Sequence, residues 1–547
     1  SALEHAPLGY LPGVGFWFVV AAPVAGGLIY GPLIDRFAPE ARGHGVPEVM
    51  LAVAERGGRI RPQVAIVKAL ASALCIGSGG SVGREGPIVQ IGSALGSTVG
   101  QAVRVSEARL RILVACGAAG GISATFNAPI AGVFFALELI LRDFEAESFG
   151  VVVLSSFVAD IIGRAAFGSH PFLTLPSFQL TSPLEYPLYA GLGLVAALVG
   201  VAFIHVLYNA EDLADRIWRG PEWLRPAGGG LLLGLLLLTL PELYGVGYHP
   251  LEQSIRGNYV VWLLLILLLG KIAATSLTIA IGGSGGVFAP SLFMGAMLGS
   301  AYGVTMHQLL PGLAAPAGAY GLVGMGAVFA AAARAPITAV IIIFELTGDY
   351  RIILPLMFAV AIATGLSRFL SRDTIYTLKL RRRGFDLTRG RSANLMRLLN
   401  VGQAMQPLPA PVCSTTRLDE LVERLTRSTA GSLPVVDEDG RYRGMVNALQ
   451  VEQALRENAS DLEAGEIAEQ APGLQSRQTL EDALGALLHS RGGLPVVAGD
   501  GEVPVGWLTH LDVLRAYNAQ IEHRSALLDP GSRRRIGSVP DLPSVHS

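Results

Sequence analysis

The stretch "GGSVGREGP" (79–87) sets Arg84 and Glu85 inside a run of glycines and ends in Pro, directly before the apolar segment "IVQIGSALGSTVG" (88–100). The same plan returns farther along the chain as "GGSGGVFAP" (282–290). A shift of 203 residues carries Lys68, Gly79, Gly80, Ser81, Gly83, Pro87, Gly92, Gly96, Ser97 and Gly100 onto Lys271, Gly282, Gly283, Ser284, Gly286, Pro290, Gly295, Gly299, Ser300 and Gly303. A shift of 207 carries "APIAGVFFALEL" (128–139) onto "APITAVIIIFEL" (335–346) and aligns Glu138 with Glu345. The chain thus holds two halves of one design. Tandem halves with Gly-broken segments at matching positions mark transporter-type folds, in which helix N-termini from both halves converge near the bilayer midplane. A Gly-rich turn that opens a helix aims several backbone N–H groups and a positive dipole end at one point, which favours an anion. The two stretches therefore read as a paired anion site. Close helix packing accounts for Gly92 and Gly96, but not for two Gly-rich loops that end in Pro at the same offset.

Composition agrees with a membrane setting. Of the 547 residues, 51% are hydrophobic and 15% charged, and the mean hydropathy is +0.48; the length predicts more than one domain. Segments 15–34, 188–208 and 259–281 each approach the roughly 20 apolar residues that span a bilayer. Segments 64–76, 133–141 and 339–346 are shorter and read as buried half-helices, which survive only where they line a protein-enclosed site. The basic run "KLRRRG" (379–384) ends the membrane part and favours a cytoplasmic C-terminal region. With 41 basic residues against 43 acidic ones, a nucleic-acid partner is not expected. Cys75, Cys116 and Cys413 lie far apart and lack metal-ligand spacing, so neither a disulfide framework nor a metal site is expected. The chain starts at Ser1 without a basic segment and cleavage site, so we expect no signal peptide and a first helix missing.

Several segments together resemble the CLC chloride channels and chloride/proton exchangers: "GHGVPE" (43–48), "GREGP" (83–87), "FNAPIAGVFFALE" (126–138), "GGVFAP" (285–290), "ARAPITAVIIIFELTGDY" (333–350) and Tyr376 in "DTIYTLKL", in the family's order. The resemblance implies a polytopic α-helical membrane protein with inverted-repeat halves, about 12–182 and 186–380 within a membrane domain 1–385. It implies a homodimer in the lipid bilayer, a bacterial inner-membrane location, one anion pathway per subunit, and chloride, other monovalent anions and protons as partners. It places a central anion on the amides of Val287 and Phe288 and the hydroxyl of Tyr376, with Gly43, His44, Gly45, Arg84, Glu85 and Gly86 lining the pathway. Glu85 becomes intelligible: a carboxylate at the mouth of an anion site competes with chloride for the same N–H donors, and protonation removes its claim. Glu85 is expected to be the gate; a plain ion pair with adjacent Arg84 is the weaker reading, since neighbouring side chains at a helix start seldom face each other.

Two positions depart from the family pattern. His44 stands where most members carry Ser; an imidazole can donate N–H to an anion or gain charge near neutral pH, although a lone His in a polar loop can equally be a solvated one. Leu139 stands where exchangers commonly carry the inner proton-transfer Glu, leaving only water or Glu138 to carry a proton. On that ground passive chloride conduction is favoured over coupled chloride/proton antiport, which is kept as the alternative.

Residues 397–523 read as soluble α/β. "AGSLPVVDEDGRYRGMVN" (430–447) and "GGLPVVAGDGEVPVGWLTHLDVL" (492–514) repeat at an offset of 61, from Pro434 to Pro495, each joining a strand, a turn, a second strand and a helix. They resemble a cytoplasmic pair of CBS domains, about 400–456 and 464–523, which often bind adenine nucleotides. No cofactor is required. Thr509 and Asp512 suit a phosphate and a ribose contact, where the first copy has Asn447 and Gln450; packing between subunits is the other role open to the pair. The tail 524–547 is expected to be disordered. Two rival classes fit poorly. A membrane-embedded enzyme has no Ser/His/Asp or metal-ligand set beside Glu85, and "LLLGKIAA" (267–274) is no P-loop because Ile follows its Lys. A divalent-cation channel needs a row of intramembrane carboxylates, whereas Glu138 and Glu345 sit at matching helix positions and suggest structural hydrogen bonding.

Overall fold

A computed structural model describes residues 16–168, 182–385, 396 and 399–528, apart from 429–430, 458–461, 489, 491 and 499–502. It divides into two compact units, 1–388 and 389–547.

The first unit is helical. Its first half comprises α1 (Phe16–Phe37), α2 (Val46–Glu55), α3 (Gln63–Gly77), α4 (Glu85–Val103), α5 (Glu107–Phe126), α6 (Pro129–Phe135, continued by a wider π-turn over Ala136–Leu141) and α7 (Ala146–Phe167). After α8 (Tyr186–Ile217), the second half repeats the order as α9 (Arg225–Thr239), α10 (Tyr248–Ile255), α11 (Val261–Ala280), α12 (Phe288–Leu309), α13 (Ala317–Ala333), α14 (Pro336–Thr347) and α15 (Ile353–Leu370); α16 (Thr377–Arg382) follows. Among the described residues six helices are long and apolar enough to cross a membrane, α1, α5, α7, α8, α11 and α15. The segments expected to be half-helices are the short α3, α6 and α14. Both α6 and α14 start with Pro in the first turn, where its missing N–H costs nothing. Each is preceded by a polar residue in left-handed conformation, Asn127 and Arg334, that ends the helix before.

The halves interlock about a local two-fold relation. Gly83 N–H donates to the Gly286 carbonyl at 2.8 Å, and Gly286 N–H donates back to Gly83. The Ser81 hydroxyl donates to Leu243 O at 2.7 Å, and its counterpart Ser284 donates to Ala41 O at 2.9 Å. The aligned lysines are both buried: Lys68 donates to the carbonyls of Ala41 and Gly43, Lys271 to the Ser81 hydroxyl and the Gly245 carbonyl. Glu138 accepts from Ile337 N, Thr338 N and the Thr338 hydroxyl at 3.2, 2.8 and 2.7 Å. Glu345 accepts from Ile130 N and Ala131 N at 3.0 and 2.7 Å. Each carboxylate thus caps the broken helix of the other half and satisfies first-turn N–H groups there.

In the second unit, β1 (Val412–Cys413), β2 (Ser432–Val436) and β3 (Tyr442–Asn447) form one sheet, and β4 (Leu474–Gln475), β5 (Leu494–Ala498) and β6 (Val503–Leu508) form another. In each, the first pairing is parallel and the second antiparallel, with a register shift at Val435/Val436 and at Val496/Val497. The final helix runs His510–Leu528, so residues 524–528 are helical rather than part of a disordered tail; residues 529–547 lie outside the described ones.

Candidate functional site

Glu85 opens α4 with its side chain almost wholly buried, 1% exposed. One carboxylate oxygen accepts from the Tyr248 hydroxyl at 2.9 Å, and the other faces Ala289 N at 3.4 Å. Ala289 lies in the first turn of α12, directly after Val287 and Phe288, so the carboxylate of one half rests on the N-terminal end of a helix of the other. The neighbouring Arg84 has its guanidinium 5.9 Å from the Phe126 ring centre and 5.5 Å from that of Tyr248, in cation–π range, and acts electrostatically on Glu85.

The loop before α2 reaches the same place. Gly45 ends it at φ +78°, and its repeat partner Gly247 has φ +88° before α10, a conformation glycine takes without strain. His44 is fully buried, and a Cβ on Gly86 would come within 2.2 Å of the His44 carbonyl oxygen. The His44 ring lies 5.9 Å from that of Tyr376, and its Nε2 lies 3.3 Å from the Tyr208 hydroxyl, which donates to Ile375 O. Burial removes the solvated reading of His44. The Gly43 N–H donates to Gly283 O at 3.0 Å and joins the halves beside His44.

Leu139 is buried in the π-turn after α6. Glu138 beside it is held by the three bonds from Ile337 and Thr338. In the second unit, Thr509 N and the Thr509 hydroxyl both donate to Asp512 Oδ2, at 3.1 and 2.6 Å, and Asp512 N donates back at 3.3 Å. Asn447 and Gln450 make the equivalent exchange at the start of Ala448–Arg456. Thr509 and Asp512, like Asn447 and Gln450, thus form a helix capping box. Among the described residues no group of three or more His, Cys, Asp or Glu is arranged to hold a metal ion.

Tyr248 and Tyr208 were missed from the sequence. Tyr248 had a signal, since "GVGYHP" (245–250) aligns with "GHGVPE" at an offset of 202; Tyr208, in the middle of an apolar helix, had none.

Comparison with known proteins bears on the whole arrangement. The family model described as voltage gated chloride channel matches residues 26–368, and the CBS domain model matches 401–457 and 466–519. A putative chloride channel protein ClcB-like of Ralstonia nicotianae is 37% identical over 379 residues, 67% of this chain and 88% of that protein. The H(+)/Cl(-) exchange transporter ClcA of Vibrio parahaemolyticus is 37% identical over 360 residues, covering 64% of this chain and 76% of that one. Among solved structures, a slow cyanobacterial Cl-/H+ antiporter superposes with a TM-score of 0.63 at 25% identity, over 70% of this chain and 90% of that one. A eukaryotic CLC transporter gives 0.62 at 21% identity, over 93% of both chains, a likeness of fold.

Proposed function

The chain belongs to the voltage-gated chloride channel family, CLC, and from that premise we propose that it carries chloride through the site between its halves with the Glu85 carboxylate as movable gate. The observation that carries the gate is the position of that carboxylate, buried against the start of α12 and held by Tyr248. Donors that suit one anion suit another, so chloride and the ionised side chain compete, and a proton on Glu85 ends the competition. The amides of Val287 and Phe288 and the hydroxyl of Tyr376 take the anion farther in.

We further read the transport as coupled exchange of chloride against protons. The relatives named as exchangers and the solved antiporters support that reading, and they lend no support to the preference for passive conduction drawn from Leu139. One observation favours passive conduction: with Leu139 apolar and Glu138 engaged by three donors, neither offers an inner proton carrier. Reconstitution in liposomes, with a chloride gradient against a clamped voltage and pH recorded, separates the two. Uphill proton movement at a fixed ratio, abolished by Glu85→Gln, is the expected result; chloride flux without it makes this a channel.

The same reading carries a surrounding bilayer, a homodimer and a cytoplasmic CBS pair. Exposed apolar side chains along α7, such as Leu154, Phe157 and Ile162, support the lipid or subunit contact. An adenine nucleotide in the CBS pair rests on the family resemblance and on Asp512 Oδ1, the oxygen that the capping box does not use and that faces Arg515 at 3.8 Å.

A further inference from the structure

The Tyr208 hydroxyl carries one proton and gives it to the Ile375 carbonyl. Toward His44 Nε2, 3.3 Å away, its oxygen can therefore only accept, and Nε2 carries a hydrogen. In the neutral ring Nδ1 is then a bare lone pair, and Nδ1 is buried with no hydrogen-bond partner among the described residues. A buried acceptor without a donor is costly, and a lone pair repels an anion. A second proton reverses both conditions, because the imidazolium donates from each nitrogen.

The surroundings tie that proton to a negative ion. Lys68 of α3 and Lys379 and Arg383 of the α16 segment all act electrostatically on His44. Lys68 is spent on the carbonyls of Ala41 and Gly43, Lys379 lies 3.5 Å from Glu211 of α8, and Arg383 pairs with Glu48 of α2. Arg382 sits over the Tyr208 ring at 5.1 Å and pairs with Asp212. From α4, the carboxylate of Glu85 follows next to the Gly86 that touches the His44 carbonyl. An imidazolium added to this set of cations is held when an anion lies beside it.

Resting on the chloride reading above, we propose that His44 binds the transported anion only as imidazolium, so that each anion held at the inner site brings one proton onto the ring. As the anion binds, the Nδ1 lone pair takes a proton from hydronium on the cytoplasmic side and leaves water; when the ring loses that proton, water accepts it and the Nδ1–H bond breaks.

The test uses the full chain in detergent with Glu85→Gln, which removes the titration of the gate itself. Chloride binding is followed by calorimetry between pH 5.5 and 8.5 in two buffers of different ionisation heat, which counts the protons taken up. We expect about one proton per chloride at the alkaline end, with affinity falling about tenfold per pH unit. Adding His44→Asn or His44→Ser should leave binding that takes up no proton and does not change with pH. Proton-free, pH-independent binding with His44 intact overturns the proposal, as does pH dependence that survives both replacements. Should both His44 variants fail to fold, the profile of Glu85→Gln alone decides. Absence of chloride binding at every pH would overturn the anion site along with it.

Discussion

Where the two halves cross, Gly83 and Gly286 exchange backbone hydrogen bonds, yet the residues that follow differ: Arg84 and Glu85 in the first half stand where Val287 and Phe288 stand in the second. The contrast continues one loop away, where His44 aligns with Val246 and Val46 with Tyr248. By comparison Lys68 and Lys271, Ser81 and Ser284, and Glu138 and Glu345 are identical and make related contacts in both halves. The shared residues hold the frame, and the unshared ones turn a two-fold frame into a single directed site. One half supplies a buried carboxylate and an imidazole; the other supplies helix N–H groups and a hydroxyl. A second carboxylate brought by the two-fold into the same site as Glu85 would repel it, and the two could not both ionise, so an asymmetric site suits the chemistry.

The comparison breaks first if a shared residue proves to be a transport residue. Glu138→Ala strands the N–H groups of Ile337 and Thr338, and Glu345→Ala those of Ile130 and Ala131. Each should destabilise the membrane unit by on the order of 2–3 kcal/mol, the larger loss falling on Glu138, which has three donors. Thermal unfolding in detergent measures this. An unshifted transition together with lost proton coupling in Glu138→Ala would move Glu138 from the frame into the proton path.

The unshared residues should behave in the opposite way. Glu85→Gln keeps the shape and can still accept from Tyr248, so the transition should move by less than about 1 kcal/mol. With internal pH held fixed, its chloride flux should lose its dependence on external pH, whereas wild-type flux rises as external pH falls, by at most about tenfold per unit for one titrating group. Flux assays on liposomes between pH 4 and 8 give the answer, and a variant with the parent's profile would deprive Glu85 of the gate.

The repeat, the half-helices and Glu85 were legible because they leave marks within a short window or at a constant offset. The pairing of Glu138 with Thr338, and of Glu85 with Tyr248, joins residues 200 and 163 positions apart, and no local pattern encodes a partner at that range. His44 shows the limit most clearly: its place in the motif marked it, but burial and the commitment of the Tyr208 proton, which give it a definite chemistry, exist only in three dimensions. In the CBS pair the spacing had a second use that the sequence did not reveal. The four residues from Thr509 to Asp512, read as ligand chemistry, also close a local cap, as do Asn447 to Gln450.

Those two copies extend the comparison at a smaller scale. Asn447→Ala and Thr509→Ala each remove a cap and should cost about 1 kcal/mol. If a nucleotide binds, only the second copy should reveal it: millimolar ATP should raise the unfolding temperature of the full chain and of Asn447→Ala, but not of Asp512→Ala. Equal responses in the two variants would reduce both boxes to capping.

The smallest effect concerns a turn that the copies do not share. Asp437 accepts from Asp439 N and Arg441 N and pairs with Arg443, whereas the second copy has Ala498 at that offset. The Arg441 backbone N–H, followed by the Arg443 guanidinium, holds the Asp437 carboxyl below its ordinary value. A carboxylate whose folded pKa is depressed contributes stability that is present above the unfolded value, about 3.9, and is lost as pH falls through the folded one. The first copy should therefore loosen on acidification below about pH 4 in a way that the second does not. Hydrogen exchange of 432–447 against 494–508, corrected for the intrinsic pH dependence of exchange, reads this directly. Asp437→Asn should lower protection of the first turn at neutral pH and flatten its acid response toward that of the second copy; if wild type and variant follow the same pH course, the carboxylate has no part in holding the turn.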